Sequence, residues 1–160
     1  MFGNLESFCV QDYPEYEVIF SPQDENDPAY KVVRKVKEKF ADKPIPIVVE
    51  RCHQGFNPKV NNLLPAYRHS RYPIILISDS NVMADPDYLK TIVKPMGNPE
   101  VGLVCNLIKG IGGKTLGSIF ENLHLNSSIL GNICFLGKYL GIPCVVGKDE
   151  MENRRDEIPS

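Results

Sequence analysis

Apolar positions along the chain fall into two alternating patterns. Short runs rich in β-branched and aromatic residues predict strands: "YEVIFS" (16–21), "IPIVVE" (45–50), "YPIILISDS" (72–80), "VGLVCNL" (101–107) and "GIPCVVGK" (141–148). Between them stand stretches with helical spacing. "DPAYKVVRKVKEKF" sets Ala29, Val32, Val33, Val36 and Phe40 on one face. Asp27 can cap that helix, and Pro28 suits its first position, where an N–H would lack a partner. Asn57 and Pro58 repeat this start ahead of Val60, Leu63, Leu64 and Tyr67, while Pro65 predicts a kink or an early end. Asp85-Pro86 opens a helix carrying Leu89, Ile92, Val93 and Met96, and another is expected around 116–130. Met1 stands inside or just before a further helix.

Such alternation, without an internal repeat, predicts a three-layer α/β/α sandwich with a mostly parallel sheet. The continuous apolar run before Asp79 fits a strand buried on both faces. In sheets of this kind, ligands sit outside the carboxyl ends of the strands. With 160 residues the chain is long enough for one domain with a real core. That domain is expected over 1–148, with the charged stretch 149–160 as a disordered tail.

Composition removes several function classes. A net charge of -2 gives no electrostatic footprint for nucleic acid. Lys35 to Lys39, interrupted by Val36 and Glu38, read as a solvated helix face. The five cysteines (Cys9, Cys52, Cys105, Cys134, Cys144) have no C-x-x-C spacing, which favours free thiols in a reducing compartment, several of them as small core residues. The three histidines (His53, His69, His124) form no pair with metal-ligand spacing. No segment approaches the ~20 apolar residues of a membrane helix, so the chain itself reads as soluble, and it shows no signal peptide.

Candidate chemistry lies at the strand ends. "QDENDPA" (23–29) follows the first strand and "SDSN" (78–81) closes the third. Carboxylates on that rim suit a hard cation such as magnesium or manganese shared with a diphosphate, although Asp27 and Asp85 also serve as caps. In "GFNPKVNNLLPAY" (55–67), Lys59 occupies the first turn of a helix whose N–H groups can meet phosphate, while Asn57, Asn61 and Asn62 are open to capping or solvent roles. "GIGGKTLG" (110–117) lacks the spacing of a phosphate loop or a dinucleotide fingerprint and reads as a flexible loop.

Together "QDENDPA", "GFNPKVNNLLPAY" and "ISDSN", with "QDYPEYEVIF" (11–20) and "VGLV" (101–104), resemble the nucleotide-sugar glycosyltransferases of the ceramide glucosyltransferase type, relatives of the family 2 transferases with a GT-A fold. The resemblance runs from about residue 4 to about residue 148. It implies a hexosyltransferase that binds a UDP-sugar, with UDP-glucose first in line, through Mg2+ or Mn2+ and passes the sugar to a lipid such as ceramide. By position it implies that Asp24 and Asp27 face the uridine half of the donor. Asn57, Lys59, Asn61 and Asn62 would line the donor pocket. Asp79 would bind the diphosphate through the metal, with Asn81 at the second ligand position, where many relatives carry an aspartate.

The resemblance also implies a chain truncated at both ends. The family's opening strand, expected upstream of Leu5, is absent. The third aspartate, expected as catalytic base, and the Q-x-x-R-W motif would lie beyond this chain, which contains no tryptophan. The longer parent is expected at the cytoplasmic face of a membrane, attached through segments outside this chain. The exposed sheet edge left behind would favour self-association. Two other readings stand beside this one: a non-catalytic nucleotide-sugar-binding remnant, and a nucleotidyltransferase with a similar sheet.

Overall fold

The computed structural model describes residues 1–50, 52, 56–141 and 149–153. In chain order the elements are α1 (Phe2–Cys9), α2 (Pro28–Lys39), α3 (Pro58–His69), β1 (Ile74–Ser78), α4 (Tyr88–Val93), a 3₁₀ turn (Lys94–Gly97), β2 (Leu103–Cys105), α5 (Leu116–His124), a π turn (Leu125–Ile129), α6 (Leu130–Leu140) and β3 (Asp149–Asn153).

The α/β class holds, with a smaller and differently directed sheet among the described residues. β3 lies between β1 and β2 and pairs antiparallel with both, Leu76 opposite Met151 and Val104 opposite the same residue. β1 and β2 therefore run in the same direction with an antiparallel strand between them. The charged stretch expected as a tail thus begins with a strand. Its ladder is built from backbone groups, which side-chain charge does not forbid. The strand expected over 141–148 lies outside the described residues, apart from Gly141.

The first two predicted strands shrink to one parallel bridge, Phe20 to Ile47. Phe20 N–H donates to the Pro46 carbonyl at 3.1 Å and Val48 N–H to the Phe20 carbonyl at 2.9 Å. Pro44 and Pro46 supply no N–H on the second segment, so a longer ladder would carry gaps.

Two apolar clusters hold these parts. In the first, Val33 and Val36 of α2 meet Leu5 and Cys9 of α1 with Phe20 and Ile45. α2 starts as its sequence predicts, the Asp27 carboxylate accepting from Ala29 N–H at 2.8 Å. Its Lys35, Lys37 and Lys39 stay exposed, Lys39 pairing with Glu6. In the second cluster Leu89, Ile92 and Met96 pack beneath Ile74 and Leu76 of β1 and Val104 of β2, with Tyr13 and Tyr16.

Three local expectations change. α3 continues through Pro65 to His69, since the proline is buried and removes only one helical hydrogen bond. α4 begins at Tyr88, not at Asp85-Pro86, and no side chain of its own first turn caps it. The buried Gln11 does so from a distance, its Oε1 accepting from Leu89 N–H at 3.0 Å. Among the described cysteines only Cys9 is fully buried; Cys105 and Cys134 are exposed. Among the described residues, no helix is long and apolar enough to cross a membrane.

Candidate functional site

A cleft of about 1050 Å³ opens between the 16–23 segment, α3 and β1. Its walls are largely apolar, with Val18, Phe20, Leu63, Leu64, Ile75 and Ile77 among them. Ser21, Gln23, Asp27, Lys59, Asn62, Ser78 and Asp79 supply its polar groups. Few polar groups set in an apolar concavity is the usual make-up of a small-molecule site.

Two elements deliver a charged pair to its lining. Asp79 directly follows the last residue of β1, and Lys59 is the second residue of α3. Their side chains meet, Lys59 Nζ lying 2.9 Å from Asp79 Oδ1. Asp79 is 34% exposed and Lys59 44%, so solvent screens the contact. Such a pair contributes about 0–1 kcal/mol to folding, and either partner can be drawn to a stronger one at little cost.

Asp27 and Asn62 share the cleft. Asp27 also caps α2, and the Asn62 carbonyl accepts from Ser21 Oγ at 2.5 Å, fastening α3 to the segment after the bridge. The remaining predicted residues stand outside the cleft lining. Asp24 closes an Asx turn by accepting from Asn26 N–H at 2.7 Å. Asn57 caps α3, accepting from Lys59 N–H at 2.9 Å. Asn61 is half-buried and Asn81 exposed.

Sequence reasoning missed the residues that fix these elements. Asn4, Ser7 and Gln11 form a polar stripe on and just beyond α1, at helical spacing, and latch the loop after Asp79. Asn4 Nδ2 donates to the Ser80 carbonyl at 3.3 Å, Ser7 Oγ accepts from Ala84 N–H at 3.0 Å, and Gln11 Nε2 donates to the Asp85 carbonyl at 2.8 Å. On the far side, Glu17 takes Arg71 N–H at 2.7 Å and its Nε at 2.9 Å, aligning the 16–21 segment with the start of β1. The stripe was legible as Asn, Ser and Gln recurring three and four residues apart. The Glu17–Arg71 pair, 54 positions apart, carried no local signal.

Whether a metal fits can be judged from the donors present. Among the described residues no three histidine, cysteine or carboxylate side chains converge as a metal cage. Asp79 is a single carboxylate inside the cleft. One carboxylate suits magnesium or manganese when substrate phosphates and water complete the shell. Ser78 Oγ, just before it, is buried with no hydrogen-bond partner among the described residues, so it is a further polar group beside that carboxylate. The residues fit a metal shared with a bound diphosphate and not one held by protein alone.

Comparison with known proteins gives a consistent pattern. The profile of glycosyl transferase family 21 matches residues 1–158. Ceramide glucosyltransferase 1 of Caenorhabditis elegans is 33% identical over 152 residues, which are 94% of this chain and 32% of that protein. Ceramide glucosyltransferase of Komagataella phaffii is 39% identical over 82 residues, covering 49% of this chain and 16% of its own. Among solved structures, the mannosyltransferase PcManGT from Pyrobaculum calidifontis, in complex with GDP-Man and Mn2+, superposes with a TM-score of 0.60 at 24% identity, over 94% of this chain and 39% of that one. That likeness establishes the GT-A-type fold. The chain spans about a third of the length of the curated relatives that match nearly all of it.

Proposed function

The chain belongs to glycosyl transferase family 21, and from that premise we propose that its cleft receives a nucleotide sugar, UDP-glucose, as donor for hexosyl transfer to a lipid acceptor such as ceramide. The observation that carries this reading is the Lys59–Asp79 pair in an apolar-walled cleft at the end of β1. It sets a cation and a carboxylate where a diphosphate and its counter-ion need opposite partners.

In glycosyl transfer the diphosphate leaves with the bonding electrons, and negative charge grows on its oxygens. Lys59 Nζ meets that charge directly. The backbone N–H groups in the first turn of α3 add partial positive charge from the same helix end. Asp79, released from Lys59, would hold Mg2+ or Mn2+, which when bound supplies Lewis-acid stabilisation of the leaving diphosphate. Ser78 Oγ offers a further hydrogen bond beside it, and Asp27 and Asn62 serve the nucleoside side of the donor. On this reading the longer protein works at the cytoplasmic face of a membrane, where its acceptor resides.

Saturation-transfer NMR of UDP-glucose on the chain tests the reading. Transfer to both uridine and glucose protons, lost in Lys59→Ala, supports it. Absence of transfer to a folded chain overturns it.

A further inference from the structure

α5, the π turn and α6 form a continuous helical arm over Leu116–Leu140, and neither α-helix buries a single residue. Large apolar side chains stand exposed near both of its ends. Leu116, Ile119, Phe120 and Leu123 recur at helical spacing, and Leu116 is 76% and Phe120 67% exposed. Phe135 and Tyr139 continue in α6, also exposed, their rings 5.2 Å apart.

The π turn keeps these two groups in register. Phe135 follows Leu116, and Tyr139 follows Phe120, by nineteen positions. A regular helix would carry the second pair about 100° off the first. The π turn absorbs about one extra residue, leaving about eighteen, or five turns at ~3.6 residues each. The two apolar groups therefore share one face at the two ends of the arm, which is roughly 37 Å long at 1.5 Å per residue, with exposed Ser127, Ser128 and Gly131 between them.

The loop before the arm grips the flank that carries Asn122, Asn126 and Ile119, a side chain at Gly113 coming within 3.1 Å of the Ile119 backbone. Asn126 Nδ2 donates to the Gly110 carbonyl at 2.9 Å, and its Oδ1 accepts from Gly110 N–H at 2.8 Å. A side chain at Gly110 would come within 3.1 Å of the Asn122 backbone. This attachment leaves Leu116, Phe120, Leu123, Phe135 and Tyr139 facing outward.

Charge indicates what this face meets. Exposed Lys109 and Lys114 precede the arm and Lys138 ends it, while the single acid, Glu121, falls about 140° around the helix from Leu116, on the opposite side. The segment is net positive in a chain of net charge -2. An apolar face flanked by lysines is how a helix lies in the plane of an anionic lipid surface, with apolar side chains below the headgroups and lysines among them.

We propose that the arm Leu116–Leu140 docks flat on an anionic bilayer surface through Leu116, Phe120, Leu123, Phe135 and Tyr139. This holds independently of the nucleotide-sugar reading, because no residue of the cleft takes part.

The chain contains no tryptophan, so Phe120→Trp introduces a single reporter, with Lys37→Trp on α2 as its control. Sedimentation and fluorescence with vesicles of phosphatidylcholine containing about a third phosphatidylserine, against phosphatidylcholine alone, read the interaction. The expected result is binding to the anionic vesicles, with a blue shift at position 120 and none at 37. Phe120→Asp with Phe135→Asp lowers the partition at least about tenfold, with circular dichroism unchanged because both side chains are exposed. No binding to either vesicle, or equal binding by the double variant, overturns the proposal. A lipid-free dimer that the double variant dissolves, without vesicle binding, overturns it in favour of a second copy on this face.

Discussion

Lys59 Nζ and Asp79 Oδ1 lie 2.9 Å apart, joining the first turn of α3 to the end of β1 inside the cleft. The contact is half-exposed, so it matters more as a pair of ligand-binding charges than as a brace. Lys59→Ala and Asp79→Ala are each expected to change unfolding free energy by no more than about 1 kcal/mol, while donor binding weakens. Thermal unfolding beside nucleotide-sugar titration separates the two effects; a loss of several kcal/mol would make the pair structural.

Ser78→Ala should divide in the same way. Removing a buried hydroxyl that has no hydrogen-bond partner among the described residues leaves the fold unchanged or slightly firmer, but deprives the cleft of a donor beside Asp79. Urea unfolding and UDP-glucose affinity measured on the same variant check this. A marked loss of stability would show the hydroxyl to be satisfied.

Gln11 makes three hydrogen bonds, to Ser7, Asp85 and Leu89. Gln11→Ala leaves the Leu89 N–H buried and unmet at the start of α4, and about 1–3 kcal/mol of stability is expected to go. Hydrogen exchange should quicken first at Leu89 and in the loop from Ser80 to Asp85. Unchanged protection there would show that the latch does not hold the loop.

Burial pushes the Cys9 thiol up from 9.0 to about 11, with Lys43 pulling weakly the other way. The folded chain therefore keeps this proton where the unfolded chain has lost it. Its contribution to stability is complete below pH 9 and is lost as pH rises through about 11. The urea midpoint should fall over that window more steeply in the native chain than in Cys9→Ala. At neutral pH a thiol reagent should modify the exposed Cys105 and Cys134 quickly and Cys9 only on unfolding.

The elements most readable in the sequence were those whose cause is local. Asp27-Pro28 and Asn57-Pro58 each started a helix through a cap and a proline within three residues, and both helices stand there. β1 was a continuous apolar run and formed as one. What escaped had distant causes. The start of α4 depends on Gln11, 78 positions from Leu89. The central place of β3 depends on backbone pairing that a charged composition conceals. Of the site, Lys59 and Asp79 were legible as separate candidates, but their meeting was visible only once α3 lay against the end of β1.

Binding of a nucleotide sugar in this cleft through Lys59 and Asp79 is open to direct measurement. The experiment is calorimetric titration of UDP-glucose into the chain, with and without Mn2+, repeated on Asp79→Ala. Manganese-dependent binding is expected, falling at least about tenfold in the variant, the loss of one charged partner being worth ~1.4 kcal/mol or more, while unfolding free energy changes by no more than about 1 kcal/mol. A folded chain that takes up no UDP-glucose, or a variant that binds it equally well, would mean that Lys59 and Asp79 do not form a donor site.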